Sequence, residues 1–378
     1  MLAQTPPMGW NSWNTFGPNI NEKLILEIAD AMVEKGYRDA GYEYVVIDDC
    51  WDLRERDAEG RLVPDPEKFP HGMKYVADYV HSKGLKFGMY SAAGIMTCAG
   101  YPGSYGHEYE DARQFAEWGV DYLKYDLCHF PGSADCKNAY LTMSMALKST
   151  GREILFSGCS VGEHEPATWM RSVGAHMYRS TADITDEYES FRYIAQTQLD
   201  KLSMSGPGCF NDMDMLVVGM HGNGNVAREN GCTDEEYLMH FSLWCLFGVP
   251  LMMGGDIRNM NDYCRNVMLN RELIAINQDP ENRPPYYEPK QRYASNGRMG
   301  MLKMLSNGEL LLAYYNFAEY PLDVLLYFDD IGVPYSSGYG LELTDVLTGE
   351  CVGVKRDFYN PRLEGHSFKF FKAKFVKI

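Results

Sequence analysis

One unit recurs along this chain and limits what it can fold into. A helical stretch is halted by glycine, a short apolar strand follows, and the strand ends in acids, aromatics or small polar residues. Residues 21 to 35 carry Leu24, Ile28 and Met32 on one face, and Gly36 stops the helix. Tyr44-Val45-Val46-Ile47 then runs into Asp48-Asp49-Cys50-Trp51. Met73, Val76, Ala77 and Val80 form the next stripe, Gly84 ends it, and the strand Phe87 to Tyr90 follows. Phe115 and Trp118 precede Gly119 and the strand Tyr122-Leu123-Lys124-Tyr125-Asp126. Met143, Ala146 and Leu147 precede Gly151, and Ile154-Leu155-Phe156 runs into Ser157-Gly158-Cys159-Ser160. Equivalent strand ends lie roughly 30 to 40 residues apart, as βα units require. The strands are continuous apolar runs, which fits strands covered on both faces.

Met8-Gly9-Trp10, Met177-Tyr178-Arg179, Cys209-Phe210-Asn211 and Pro250 to Met253 bring the count to eight, which favours a (β/α)8 TIM barrel over an open sheet. The spacing leaves the helices between the later strands unassigned. The expected catalytic barrel covers residues 1–283. A linker is expected at about 284–291, marked by Pro284-Pro285. A C-terminal antiparallel β-sandwich is expected at 292–378, where no helical period is visible. Met301 to Leu305 and Glu309 to Tyr315 flank Asn307-Gly308, a hairpin signal. Val324 to Phe328, Phe368 to Phe370 and Phe371 to Phe375 read as further strands.

The net charge of −17 repels phosphate backbones and anionic lipid, which argues against nucleic-acid and membrane-surface roles. No apolar run approaches the roughly 20 residues of a membrane span. Met1 to Pro7 has neither a basic n-region nor a long apolar h-region, and ten cysteines are scattered without a C-x-x-C pair. These features predict a cytoplasmic protein with mostly buried thiols. The histidines His107, His129, His164 and His221 show no H-E-x-x-H spacing, so neither a catalytic metal nor a cofactor is expected.

Where parallel strands expose their ends at one rim, chemistry gathers there. Asp126 ends the fourth strand with Lys124 two residues earlier, and Asp183 follows the sixth. Two carboxylates from different strands can face each other across a glycosidic bond, with Lys124 and Arg179 holding the first ionised. A single strand-end acid often only caps a helix or pairs with a cation. The set Asp48, Asp49, Asp126, Asp183 and Asp214 is harder to explain that way. Trp10, Trp13, Trp51 and Tyr90 lie at or just after strand ends, where aromatic faces pack on the C–H faces of sugars or simply fill the rim. An acid-rich, aromatic-walled rim suits a small neutral carbohydrate.

Gly158-Cys159-Ser160-Val161-Gly162 matches the G-x-S-x-G elbow of serine hydrolases, but Glu163-His164-Glu165-Pro166 intervenes where a helix should start. A pocket-wall serine is the better reading of Ser160, and a serine esterase the rival one. Gly222 to Ala227 resembles a dinucleotide loop but stands far from an N-terminal βα unit, so a rim loop is expected. A non-catalytic sugar-binding protein would keep the aromatics and need neither carboxylate.

Pro6 to Trp13, Val46 to Trp51, Thr97 to Gly100, Leu123 to Asp126, Ala182 to Ile184, Asn211 to Leu216 and Ala275 to Pro280 together resemble glycoside hydrolase family 27, the α-galactosidase and α-N-acetylgalactosaminidase family. The resemblance implies a (β/α)8 barrel with a C-terminal antiparallel β domain, and a retaining exo-glycosidase acting on terminal α-linked galactose. It implies Asp126 as nucleophile and Asp183 as acid/base, their carboxyl groups about 5–5.5 Å apart. Asp48 and Asp49 would bind the 4- and 6-hydroxyls, Lys124 the 3- and 4-hydroxyls, and Arg179 and Asp214 the 2- and 3-positions. Trp13, Tyr90 and Met215 would line the pocket. Cys98 and Cys128 match a pair that is disulfide-bonded in family members, whereas Cys50 lacks its usual partner. Ser160-Val161 replaces the Glu-Trp of many α-galactosidases, and Cys209 replaces a common tryptophan. Smaller side chains would open space at the sugar's 2-position, which makes α-N-acetylgalactosaminidase the runner-up. β-L-Arabinopyranosidase is disfavoured by the 6-hydroxyl partners. Family members are often dimers, so a homodimer stays open.

Overall fold

The computed structural model describes residues 2–286 and 297–378. Eight strands form one parallel sheet: β1 (Met8–Asn11), β2 (Tyr44–Val46), β3 (Lys86–Ala92), β4 (Tyr122–Asp126), β5 (Leu155–Cys159), β6 (Met177–Arg179), β7 (Phe210–Asp212) and β8 (Leu251–Met253). Each strand from β1 to β7 lies beside its neighbour in sequence, and β1 also pairs with β8. Leu216, just past β7, bridges Met253 of β8 and draws the ends of the sheet together into a barrel. Its amide donates to the Met252 carbonyl at 2.8 Å, and its carbonyl accepts from Gly254 N at 2.8 Å.

The helices are α1 (Trp13–Phe16, a single turn), α2 (Glu22–Glu34), α3 (Gly72–Ser82), α4 (Glu108–Trp118), α5 (Cys136–Ser149), α6 (Tyr188–Gln196), α7 (Asp234–Phe247), α8 (Asp262–Met268) and α9 (Arg271–Asn277). Asn21 caps α2 by accepting from Leu24 N. Gly119 ends α4 and Gly248 ends α7 at φ 85° and 64°, a left-handed turn that costs glycine nothing. Between β5 and β6 only a 3-10 turn, Pro166–Thr168, replaces the helix of the repeating unit.

The barrel interior is filled by inward side chains including Tyr44, Tyr122, Leu155, Met177, Phe210 and Met252. Period-two alternation explains β4: Tyr122, Lys124 and Asp126 share the inward face, while Tyr125 points out and packs on Tyr140 and Phe156.

The C-terminal region is a five-stranded antiparallel sheet with two ribbons on one face. The sheet holds β9 (Arg298–Met304), β10 (Leu310–Asn316), β13 (Tyr339–Asp345), β14 (Cys351–Lys355) and β17 (Ser367–Lys377). The ribbons pair β11 (Leu322–Asp323) with β16 (Arg362–Leu363), and β12 (Leu326–Tyr327) with β15 (Phe358–Tyr359). The expected strand from Val324 to Phe328 is therefore divided, because the two ribbons pair separately and Phe328 opens a 3-10 turn. The two expected strands at 368–375 are one. Phe370 and Phe371 face opposite ways, the first into the barrel-side core and the second into the ribbon-side core. The expected linker at 284–291 and domain start at Arg292 fall largely on residues 287–296, outside the described residues. Tyr286 already pairs with Leu302 of β9.

The two parts share a core. Leu311, Ala313 and Tyr315 of β10 belong to the same cluster as the helices around the barrel, while Leu312 and Tyr314 face the ribbons. Helix α7 sits in the seam. Its Ser242 hydroxyl lies 3.0 Å from the Tyr315 hydroxyl, and its Leu246 carbonyl accepts from Lys303 Nζ at 3.0 Å.

Candidate active site

The carboxyl end of β4 turns Lys124 and Asp126 into the barrel mouth. Lys124 Nζ donates to Asp48 Oδ2 at 2.8 Å and lies 5.2 Å from the centre of the Tyr90 ring. Asp48 Oδ2 also accepts from Asn11 Nδ2 at 2.7 Å, and Asp48 N donates to the Ser12 hydroxyl. Asp49 accepts from Ala99 N at 2.9 Å and from Cys50 N at 2.7 Å. Asp126 accepts from Leu127 N at 2.9 Å and from the Tyr90 hydroxyl at 3.3 Å. Cys98 and Cys128 are joined by a disulfide, and the Tyr90 hydroxyl is 3.3 Å from Cys98 Sγ.

Across the mouth, Arg179 at the end of β6 is the hub. Its Nη2 reaches Asp183 Oδ1 and Asp214 Oδ2, each at 2.7 Å, and its Nε donates to the Thr181 hydroxyl. Asp214 sits at φ 80°, a backbone conformation that is costly for any residue with a Cβ. From there its carboxylate accepts from Ile184 N at 2.7 Å and Met215 N at 2.8 Å.

These groups surround one cavity of about 340 Å³. Its wall includes Trp13, Asp48, Asp49, Tyr90, Cys98 and Lys124, and then Asp126, Cys128, Arg179, Asp183, Asp214 and Met215. Among the described residues on the wall, six carboxylates (these five Asp and Glu163) face two cations, Lys124 and Arg179. That balance disfavours an anion and provides many acceptors for hydroxyl donors.

Burial raises the pKa of Asp126, and Lys124 and Arg179 oppose the rise without cancelling it. Burial pulls Lys124 down, but Asp48 and Asp126 help to outweigh it and hold the ammonium well above its ordinary range. Burial lifts Asp214 to about 6 against the pull of Arg179. Asp183 goes the other way. Burial pushes it up, yet the Arg179 ion pair wins and the net shift is down. The Asp183 side chain is 73% exposed, so solvent limits the size of that shift.

Ser160 departs from expectation. It is fully buried, and its hydroxyl donates to the Glu163 carbonyl at 2.9 Å inside the turn that follows β5. It neither reaches the cavity nor meets a histidine, which removes both the pocket-wall serine and the nucleophile elbow. Val161 and Glu163 stand on the wall instead, beside Cys159. The extra room inferred from Ser160-Val161 therefore rests on Val161 alone. Trp10 and Trp51 are also packed away, donating to the Gly255 and Tyr90 carbonyls. Asn14, Leu127 and Val226 line the cavity unforeseen. Val226 arrives on the loop after β7, where its amide donates to the Asn14 carbonyl at 3.0 Å. Asn11 lay inside a quoted motif, so its bracing of Asp48 could have been read; an isolated loop valine carried no signal.

The family profile described as Alpha galactosidase A matches residues 5–279. The alpha-galactosidase of Cyamopsis tetragonoloba is 42% identical over 371 residues, 98% of this chain and 86% of that protein. Alpha-galactosidase 3 of Arabidopsis thaliana is 45% identical over 336 residues, 88% of this chain and 73% of that protein. The crystal structure of alpha-galactosidase I from Mortierella vinacea superposes with a TM-score of 0.91 at 32% identity, covering 98% of this chain and 97% of that one.

Proposed function

The chain belongs to the alpha-galactosidase A family, glycoside hydrolase family 27, and from that premise we propose that it removes terminal α-linked galactose from neutral glycosides with retention of configuration. The observation that carries the reading is the convergence of Asp126 and Asp183, from different strands, on one cavity lined by Lys124, Arg179, Tyr90 and Trp13. Asp126 attacks the anomeric carbon as the bond to the leaving oxygen breaks, and Asp183 gives that oxygen its proton. The galactosyl group is then esterified to Asp126. Asp183, now ionised, takes a proton from water, whose oxygen attacks the same carbon and frees both galactose and Asp126.

Asp48, Asp49 and Lys124 offer acceptors and a donor to one edge of the sugar, and Arg179 and Asp214 to the other. Tyr90, kept protonated because burial raises its pKa well above the ordinary value, donates to Asp126 and fixes its orientation. Trp13 supplies an apolar wall for the ring.

NMR of nitrophenyl α-galactoside hydrolysis tests the scheme. The α-anomer of galactose should appear first, and β-galactose appearing first would remove the covalent role of Asp126. Asp183→Ala should lower turnover roughly 10²–10⁴-fold on a disaccharide and less on the activated nitrophenyl glycoside. A higher kcat/KM for the 2-acetamido sugar than for galactose would overturn the stated specificity.

A further inference from the structure

We propose that His221, Asp234 and Cys264 form a structural transition-metal site, best suited to Zn²⁺, that clips the loop after β7 to helices α7 and α8. The three side chains come from separate segments. His221 lies on the loop, Asp234 in the first turn of α7, and Cys264 in α8. Their ligand atoms converge: His221 Nε2 to Asp234 Oδ1 is 3.4 Å, Cys264 Sγ to Asp234 Oδ1 is 3.3 Å, and Cys264 Sγ to His221 Nε2 is 3.8 Å.

Zinc bonds of ~2.0–2.3 Å to N, O and S at the tetrahedral angle require ligand–ligand edges of ~3.3–3.6 Å. The observed triangle is close to that size, with the sulfur–nitrogen edge slightly long. A thiol, an imidazole and a carboxylate also make a mixed soft and hard donor set that suits zinc better than calcium or magnesium. Cys264 is buried, while the His221 and Asp234 side chains are 37% and 33% exposed, so an ion can reach the site from solvent. His221 is held at φ 48°, a backbone cost accepted where its amide donates to the Tyr237 hydroxyl and its ring joins the cluster.

The fourth corner is taken by Asn261. Its Nδ2 lies 3.2 Å from both His221 Nε2 and Asp234 Oδ1, while its Oδ1 caps α8 by accepting from Cys264 N at 2.7 Å. Ligation displaces that amide nitrogen, brings a water to the corner and sends the Cys264 thiol proton to solvent. The consequence is local order. The clipped loop carries Val226 to the cavity wall, about one turn of chain beyond His221.

The test is titration of the metal-free full chain with Zn²⁺ against a chromophoric chelator, and with Co²⁺ followed by absorption. One equivalent should bind, Co²⁺ should show a thiolate charge-transfer band with tetrahedral intensity, and Zn²⁺ should raise the melting temperature. Loss of a second-shell partner typically costs ~10–100-fold in affinity, so Cys264→Ser and His221→Ala should lose at least ~100-fold. Asn261→Asp keeps the helix cap and offers an anionic oxygen, so it should bind more tightly than the wild type. Metal-free melts of each variant separate lost folding from lost binding. The proposal fails if the wild type binds no more tightly than Cys264→Ser, if Co²⁺ gives an octahedral spectrum, or if Asn261→Asp weakens binding.

Discussion

Two lysines, one largely buried in the barrel mouth and one fully buried in the seam between barrel and sheet, live under opposite electrostatics. Lys124 touches the Asp48 carboxylate at 2.8 Å and has Asp126 nearby, so burial loses to charge and the ammonium is held. Among the described residues, Lys303 on β9 hydrogen-bonds only neutral oxygens, the Leu246 carbonyl at 3.0 Å and Asn282 Oδ1 at 3.2 Å. Burial therefore pulls its pKa down to about 8, opposed by the more distant Asp279. The mouth concentrates charges that are costly to desolvate and keeps them paired. The seam is a packing surface that tolerates one ionisable group. Substitutions in the mouth should therefore change chemistry more than stability, and those in the seam the reverse.

The sharpest way to break that contrast is Asp126→Asn. The side chain keeps its shape and loses its nucleophilic charge. Turnover should fall roughly 10⁴-fold or more, as when other covalent nucleophiles are removed. Because burial raises the carboxyl pKa, neutralising it relieves a desolvation cost, and the melting temperature should hold or rise. A variant that retained wild-type turnover, or that melted several degrees lower, would dissolve the distinction between the two regions.

The sequence exposed the mouth better than the seam, for a physical reason. Mouth residues sit at or just after the ends of short apolar strands, so β4, behind the glycine-stopped α4, and β6, behind a 3-10 turn, were both legible to the residue. Helix α7 was not. It is buried on nearly every side, from Tyr237 and Met239 to Phe247, between the barrel and the sheet, so no apolar stripe marks it. Its capping box at Thr233 and Glu236 was the readable sign. Strand β13 shows alternation, with Leu341 and Leu343 buried, and was open to reading. Edge strand β14 has no buried face to announce it. Ser160 was misplaced because a motif fixes backbone order, not side-chain direction. The turn that holds its hydroxyl against the Glu163 carbonyl swings Val161 and Glu163 to the wall instead.

The seam has its own signature in the dependence of stability on pH. An unfolded lysine titrates near 10.4, so between about 8 and that value the unfolded chain binds more protons than the fold at Lys303. Stability contributed by this group thus rises with pH across the window. Against Lys303→Met, the wild type should gain roughly 1.5 kcal/mol between pH 8 and 9.5. Lys124 has the opposite sign. Its stabilisation is fully present below the ordinary lysine pKa and is lost as pH rises from there through its raised folded value, so it adds no slope in this window. Denaturant unfolding of both proteins across the window measures the difference. Parallel curves would mean that Lys303 is solvated in the fold and that the seam is not dry.

The smallest effect lies within the mouth, between its free and loaded states. The acid step needs Asp183 protonated, yet in the free protein Arg179 at 2.7 Å outweighs the partial desolvation of its carboxyl and lowers its pKa. The same Nη2 serves Asp214 at 2.7 Å. A sugar hydroxyl that engages Arg179 and Asp214 weakens the hold on Asp183, whose pKa then rises in the complex. The profile of kcat/KM reports the free enzyme and that of kcat the complex. The alkaline limb of kcat should therefore lie at higher pH than that of kcat/KM. The gap should be about one unit or less, because water screens a carboxylate that is 73% exposed. Arg179→Lys keeps a charge but loses the planar guanidinium whose Nε, on the Thr181 hydroxyl, fixes Nη2 between the two carboxylates, so it should raise the kcat/KM limb toward the kcat limb. Coincident limbs in the wild type would mean that Arg179 does not release Asp183 on binding, and that the proton for the leaving oxygen is secured some other way.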